Sequence, residues 1–216
     1  MLVGEPADSR RLTGATSDCS LTHMTTTTPA PRSTAGARRV AVLAAAITVF
    51  ARTGYYATPV TDVAEAAKIS PAYVFRLFPT KLVLFVAALE ECFTRVLRTL
   101  AEGADAATDR DADDPEAVLS AMGDAYAHLI ADRSLLMLQV HALSAADVPE
   151  IRAALQRGIE QVVTYARERT GAPDPAVQQF MAHGQLCHLV VAADLVHLTP
   201  RWATTLTTGM AHPESR

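Results

Sequence analysis

Three hydroxyl residues mark where this chain could do chemistry. Thr58 and Ser70 each precede a proline, Pro59 and Pro71, and Thr80 precedes Lys81. Each fits the cap of a helix, with proline suited to the first helical position. Helix N-termini carry unpaired N–H groups that can hold phosphate. Between the caps, Val60, Val63, Ala64 and Ala67 form one face of a short helix, Lys68-Ile69-Ser70 breaks it, and Val74 and Phe78 recur at i, i+4. Two short helices joined by so tight a turn predict a helix-turn-helix over 59–78. The second helix of such a pair fits the major groove of DNA. Val63, Ala64, Ile69, Val74 and Phe78 then face inward, leaving Ala72, Tyr73, Arg76 and Leu77 outward. Ala72 permits close approach, and Arg76 can reach a guanine edge or a phosphate.

Other candidate chemistry is thinner. His183 and Cys187 stand at i, i+4 with His188 beside them, a spacing that could begin a zinc or copper site. No acid nearby completes four ligands, so the reading is no metal and no cofactor. There is no Gly-rich phosphate loop, G-x-S-x-G elbow, HExxH or paired-carboxylate motif, so the chain does not read as an enzyme. Cys19, Cys92 and Cys187 are too widely spaced for a disulfide framework and fit a reducing compartment.

The elements that must position these residues are all helical. Val40, Leu43, Ile47 and Phe50 predict one face of a first helix, ended by Gly54 in a left-handed cap. Thr80 opens a long helix with the stripe Leu84, Phe85, Ala88, Leu89, Cys92, Phe93, Val96 and Leu100. The stretch 102–114 reads as a loop. Further helices are expected near 115–131, 134–145, 148–169, 175–195 and 200–210, with no strand anywhere. Residues 1–35, rich in Thr, Ser, Pro and Ala, read as a disordered tail, with Met24 an alternative start. Charge follows the same division. The net charge is −4, but residues 36–96 carry seven cations against four anions, and 97–216 carry nine against sixteen. A basic segment on an acidic body suits a module that meets phosphate. No apolar run of about 18 residues suggests a membrane span, and no signal peptide is evident.

The run 38–90 resembles the TetR family of bacterial repressors. The resemblance rests on Phe50, Gly54, Tyr55 and Thr58, on Ala64, Ala67, Ile69 and Ser70, and on Phe78, Lys81 and Leu84. It implies an all-α fold: a DNA-binding domain at 36–96 and a helical effector-binding and dimerisation domain at 97–216. It implies DNA contacts by Thr58, Thr61, Ser70, Ala72, Tyr73, Phe75, Arg76 and Lys81. Two positions depart from the family pattern: Phe75 stands where a phosphate-binding Tyr is usual, and Leu77 where His or Tyr is common. The resemblance further implies a homodimer formed by the last two helices, with Gly184 permitting close approach and Trp202 at the rim. A largely apolar small-molecule effector would be lined by Met122, Tyr126, Leu129, Leu136, Met137, Val140, His141 and Phe180. The expected function is a sequence-specific transcriptional repressor, cytoplasmic and nucleoid-associated when bound to double-stranded operator DNA. A metal-responsive regulator and a helical adaptor without DNA binding are the alternatives.

Overall fold

The caps and proline steps set the helix boundaries. The computed structural model describes residues 35–107 and 114–209. Nine α-helices occur among them: α1 Ala35–Ala57, α2 Val60–Ala66, α3 Pro71–Leu77, α4 Lys81–Asp105, α5 Pro115–Leu129, α6 Arg133–Ser144, α7 Pro149–Thr170, α8 Asp174–Ala192 and α9 Arg201–Thr207. No strand occurs among the described residues. The expected N-terminal tail and the Met24 start lie outside them.

Side-chain oxygens accept the N–H groups that several helix starts leave unpaired. The Ser70 hydroxyl accepts from the Tyr73 N–H at 3.3 Å, and the Thr80 hydroxyl from the Val83 N–H at 3.1 Å. Asp114 and Asp132 accept from the N–H groups of Glu116 and Ser134, each at 3.0 Å. Gly171 closes α7 in the left-handed conformation. α4 extends to Asp105, so residues 102–105 are helical rather than loop.

The break at Gly54 is real but differs from a simple left-handed cap. Gly54 has φ 74° and ψ −177°, a conformation open essentially to glycine alone, and one turn of helix follows it. The buried face of α1 keeps Ile47 and Phe50 of the expected stripe, with Leu43 half-buried against the core, but is wider than expected and omits its first residue. Val42, Ala46, Ile47, Val49 and Phe50 are buried, whereas Val40 is 63% exposed. By length and mean hydropathy (1.4) α1 could cross a membrane, yet this face packs into the core.

α1 lies against both α6 and α4, and α4 continues across α5 and α7. The Phe93 ring on α4 lies directly over the bare backbone of Gly158 on α7, where a Cβ would stand 2.2 Å from the ring. The whole stripe predicted for α4 is buried, joined by Ala104. One continuous core therefore runs from the helix-turn-helix into the later helices.

Candidate nucleic-acid interface and internal cavity

The helix-turn-helix is built from its caps inward. Val63, Ala64, Val74 and Phe78 are at most 1% exposed and fix the crossing of α2 and α3. The turn between them places Lys68 at φ 54° and returns the Ile69 N–H to the Ala64 carbonyl at 3.0 Å. α3 then presents Pro71, Ala72, Phe75 and Arg76 to solvent. Phe75 is an exposed aromatic face without a hydroxyl. Leu77, expected to point outward, is half-buried against the core.

Two arginines that sequence reasoning did not single out brace α3 from α1. Arg38 and Arg76 lie on the Tyr73 ring, at 5.2 and 4.5 Å from its centroid. A hydrogen bond from Arg38 leads in holding the Tyr73 hydroxyl below the usual tyrosine range, aided by Arg76. Arg39 stacks on Phe78 at 4.2 Å and donates to the Leu77 carbonyl at 3.3 Å, closing the end of α3. Arg38, Lys68, Ser70 and Tyr73 border one shallow cleft beside the start of α3. The basic pair Arg38-Arg39 was the available signal.

Thr58 and Lys81 serve a different purpose from the one expected. Thr58 is 1% exposed, and its hydroxyl bonds the Gly54 carbonyl at 2.7 Å and the Thr53 hydroxyl at 2.6 Å. It does not cap α2, whose N-cap is Pro59. The Lys81 ammonium donates to the carbonyls of Tyr56 and Thr58 at 3.1 and 3.2 Å and lies over the Tyr55 ring. Both side chains thus hold the irregular backbone after Gly54 in place. Thr61 remains exposed at the start of α2.

A second feature lies deeper. A cavity of about 130 Å³ opens between α4, α5, α6, α7 and α8. Its walls are mostly apolar, with Phe93, Val96, Leu155, Val162, Phe180 and Met181 prominent. Three buried polar side chains meet there: Tyr126, Gln139 and His188. The Tyr126 hydroxyl bonds His188 Nε2, and Gln139 Nε2 donates to the Tyr126 hydroxyl at 3.4 Å and to the Leu135 carbonyl at 3.2 Å. Burial pushes the His188 pKa down to about 4 and raises that of the Tyr126 hydroxyl. Both are therefore neutral near pH 7. His188 Nδ1 is buried with no hydrogen-bond partner.

Of the expected ligand residues, Tyr126 and Phe180 line this cavity. Met122 and Leu136 are fully buried in the core, and Leu129 and Val140 are half-buried against it. Met137 borders a shallow cleft with Thr48 and Arg52 of α1. His141 packs on Gly54, where a Cβ would stand 2.8 Å from its Nδ1. Residues 137 and 141 share one helix face, and 139 and 143 nearly the opposite one. α6 thus turns the first pair to α1 and Gln139 and Leu143 to the cavity. Gln139 was signalled only as a lone amide in an apolar run. Among the residues weighed for metal, His183 is exposed and His188 Nε2 is taken by Tyr126. No group of three His, Cys, Asp or Glu that could hold a metal ion occurs among the described residues.

A tripartite helical unit with a braced, solvent-facing α3 defines a helix-turn-helix DNA-binding transcriptional regulator. Residues 42–88 match the family model described as bacterial regulatory proteins, tetR family. The helix-turn-helix region of the chain thus carries the tetR-family pattern. Solved structures share its fold. A proposed transcriptional regulator from Pseudomonas aeruginosa PAO1 aligns with TM-score 0.60 and 20% identity, covering 81% of this chain and 88% of that one. The fatty acid degradation regulator FadR from Bacillus halodurans gives 0.58 and 16%, covering 82% and 97%. FadR from Bacillus subtilis, in complex with stearoyl-CoA, gives 0.54 and 14%, covering 77% and 94%. No curated protein sequence matches the chain significantly.

Proposed function

We propose that the chain is a cytoplasmic, homodimeric repressor that a small, largely apolar effector releases from its operator. One observation carries this reading: the helix that borders the cavity also bears on the DNA-binding helices. α6 contributes Gln139 and Leu143 to the cavity and, from another face, sets His141 against Gly54 of α1. A second tie joins the same regions, since the Tyr56 hydroxyl donates to the Asp147 carboxylate at 2.6–2.7 Å. A ligand that favours one arrangement of α6 would thereby bias the position of α3. The Bacillus subtilis FadR complex with stearoyl-CoA supports a ligand site within this fold.

On this reading residues 36–96 bind DNA and 97–216 sense and dimerise. Thr61, Ser70, Ala72, Tyr73, Phe75 and Arg76 meet the duplex, while Thr58 and Lys81 act by shaping the backbone behind it. Dimerisation uses α8 and α9, where Leu189 and Trp202 are 52% and 56% exposed. Two recognition helices then span two half-sites.

The test is binding of the full chain to duplex from the region upstream of its own coding sequence, across a salt series. A specific complex that weakens steeply with salt is expected, with Arg76→Ala losing about tenfold or more in affinity. Binding no tighter than to random duplex would refute the reading.

A further inference from the structure

The polar corner of the cavity has a fixed direction of hydrogen bonding. Gln139 Nε2 faces the Leu135 carbonyl, which can only accept, so the amide nitrogen and not its oxygen stands there. That same nitrogen donates to the Tyr126 oxygen. Tyr126 must then give its one proton to His188 Nε2. A neutral imidazole whose Nε2 accepts carries its proton on Nδ1. The relay thus ends on a buried N–H donor for which the protein supplies no acceptor. Buried donors are seldom left so.

The rest of the lining restricts what could satisfy it. No Lys, Arg, Asp or Glu is among the side chains that border the cavity, and its remaining polar lining, His183 and Gln185, occupies exposed positions of α8. An anion at the buried corner beside His188 would lose its hydration without meeting a Lys or Arg. The space, about 130 Å³, is close to the ~150 Å³ that accommodates a benzene-sized molecule.

We infer that the cavity binds an uncharged, ring-sized apolar molecule carrying one hydrogen-bond acceptor, a carbonyl or ether oxygen, which takes the His188 Nδ1 proton. This rests on the effector reading above and names the chemical class of that ligand.

Three probes of similar shape test it on the full chain by calorimetry at pH 7: acetophenone, ethylbenzene and benzoate. Acetophenone is expected to bind about tenfold or more tighter than ethylbenzene, with benzoate weakest. Tyr126→Phe keeps the ring and removes the relay, and Gln139→Met removes its first donor. Either variant should bring acetophenone and ethylbenzene towards parity. The inference is overturned if benzoate binds as well as acetophenone, if ethylbenzene does, if none binds, or if both variants retain the preference. Operator affinity measured with each probe separates the two readings. Selective acetophenone binding with unchanged operator affinity would support the ligand class and refute the effector role. Release by benzoate alone would do the reverse.

Discussion

His188 is a neutral imidazole in an apolar wall, and that has a thermodynamic consequence. Burial lowers its folded-state pKa to about 4, against an ordinary value near 6.5. Above about pH 6.5 neither the folded nor the unfolded chain protonates this group. Between about 6.5 and 4 the unfolded chain takes up the proton and the folded one does not, so stability falls as pH falls. Urea unfolding at pH 7 and pH 5 should show His188 removing about 2 kcal/mol at the lower pH. His188→Gln, which does not titrate, should lose that part of the slope. An equal slope in the variant would mean that the imidazole is not held neutral. Gly54 is the other residue whose identity is dictated by its surroundings. Its positive φ and extended ψ exclude other residues, and a Cβ would press on His141. Gly54→Ala should cost about 1–3 kcal/mol. Adding His141→Ala should recover only the steric part, because the backbone strain remains. Full recovery in the double variant would place the whole cost in the side-chain clash.

At the scale of elements, the turn between α2 and α3 carries strain in a residue that need not be there for folding. Lys68 adopts φ 54°, which disfavours L side chains by about 1 kcal/mol. Lys68→Gly should therefore raise stability slightly, by up to about 1 kcal/mol after the glycine's greater unfolded-state entropy is set against it. Lys68 borders the same cleft as Arg38 and Ser70, so the same variant should weaken DNA binding. A more stable protein with unchanged DNA affinity would show that the charge is unused. The helix-turn-helix itself was legible in the sequence because its boundaries are written in residues with local geometry: Ser70-Pro71, Thr80, Pro79. α1 was less legible. Ala41, Ala44, Ala45 and Ala46 blur its hydrophobic face, so the period through Leu43, Ile47 and Phe50 ran out to exposed Val40 and passed over buried Val42, Ala46 and Val49. The cavity was hardest to see. Its lining is chemically indistinguishable from core, and only where helices fail to meet does it become a space. Gln139 stands on the cavity face of α6, while the expected Met137 and His141 lie on the nearly opposite face.

At the scale of the whole molecule, the question is what holds the recognition helix at one distance from the body. α1 is pinned to α6 by packing at Gly54 and His141, and a polar strap spans α1 and the α6–α7 connection, from Tyr56 to Asp147. The Asp147 hydrogen bond is the main cause that raises the Tyr56 hydroxyl above the ordinary tyrosine range, consistent with a proton held for donation. Tyr56 is 59% exposed, so the strap is bathed in solvent and should do little for global stability. Its value is positional. Specific binding by a dimer requires both recognition helices at the spacing of two half-sites, whereas non-specific binding needs only phosphate contacts. Tyr56→Phe keeps the ring and removes the strap. It should leave urea unfolding unchanged and lower affinity for the operator several-fold, while affinity for random duplex stays the same. Asp147→Asn should act more weakly, since an amide oxygen still accepts. Equal losses on both duplexes would instead place Tyr56 in contact with the DNA backbone. No loss on either would leave the α1–α6 packing alone as the link between the cavity and the recognition helix.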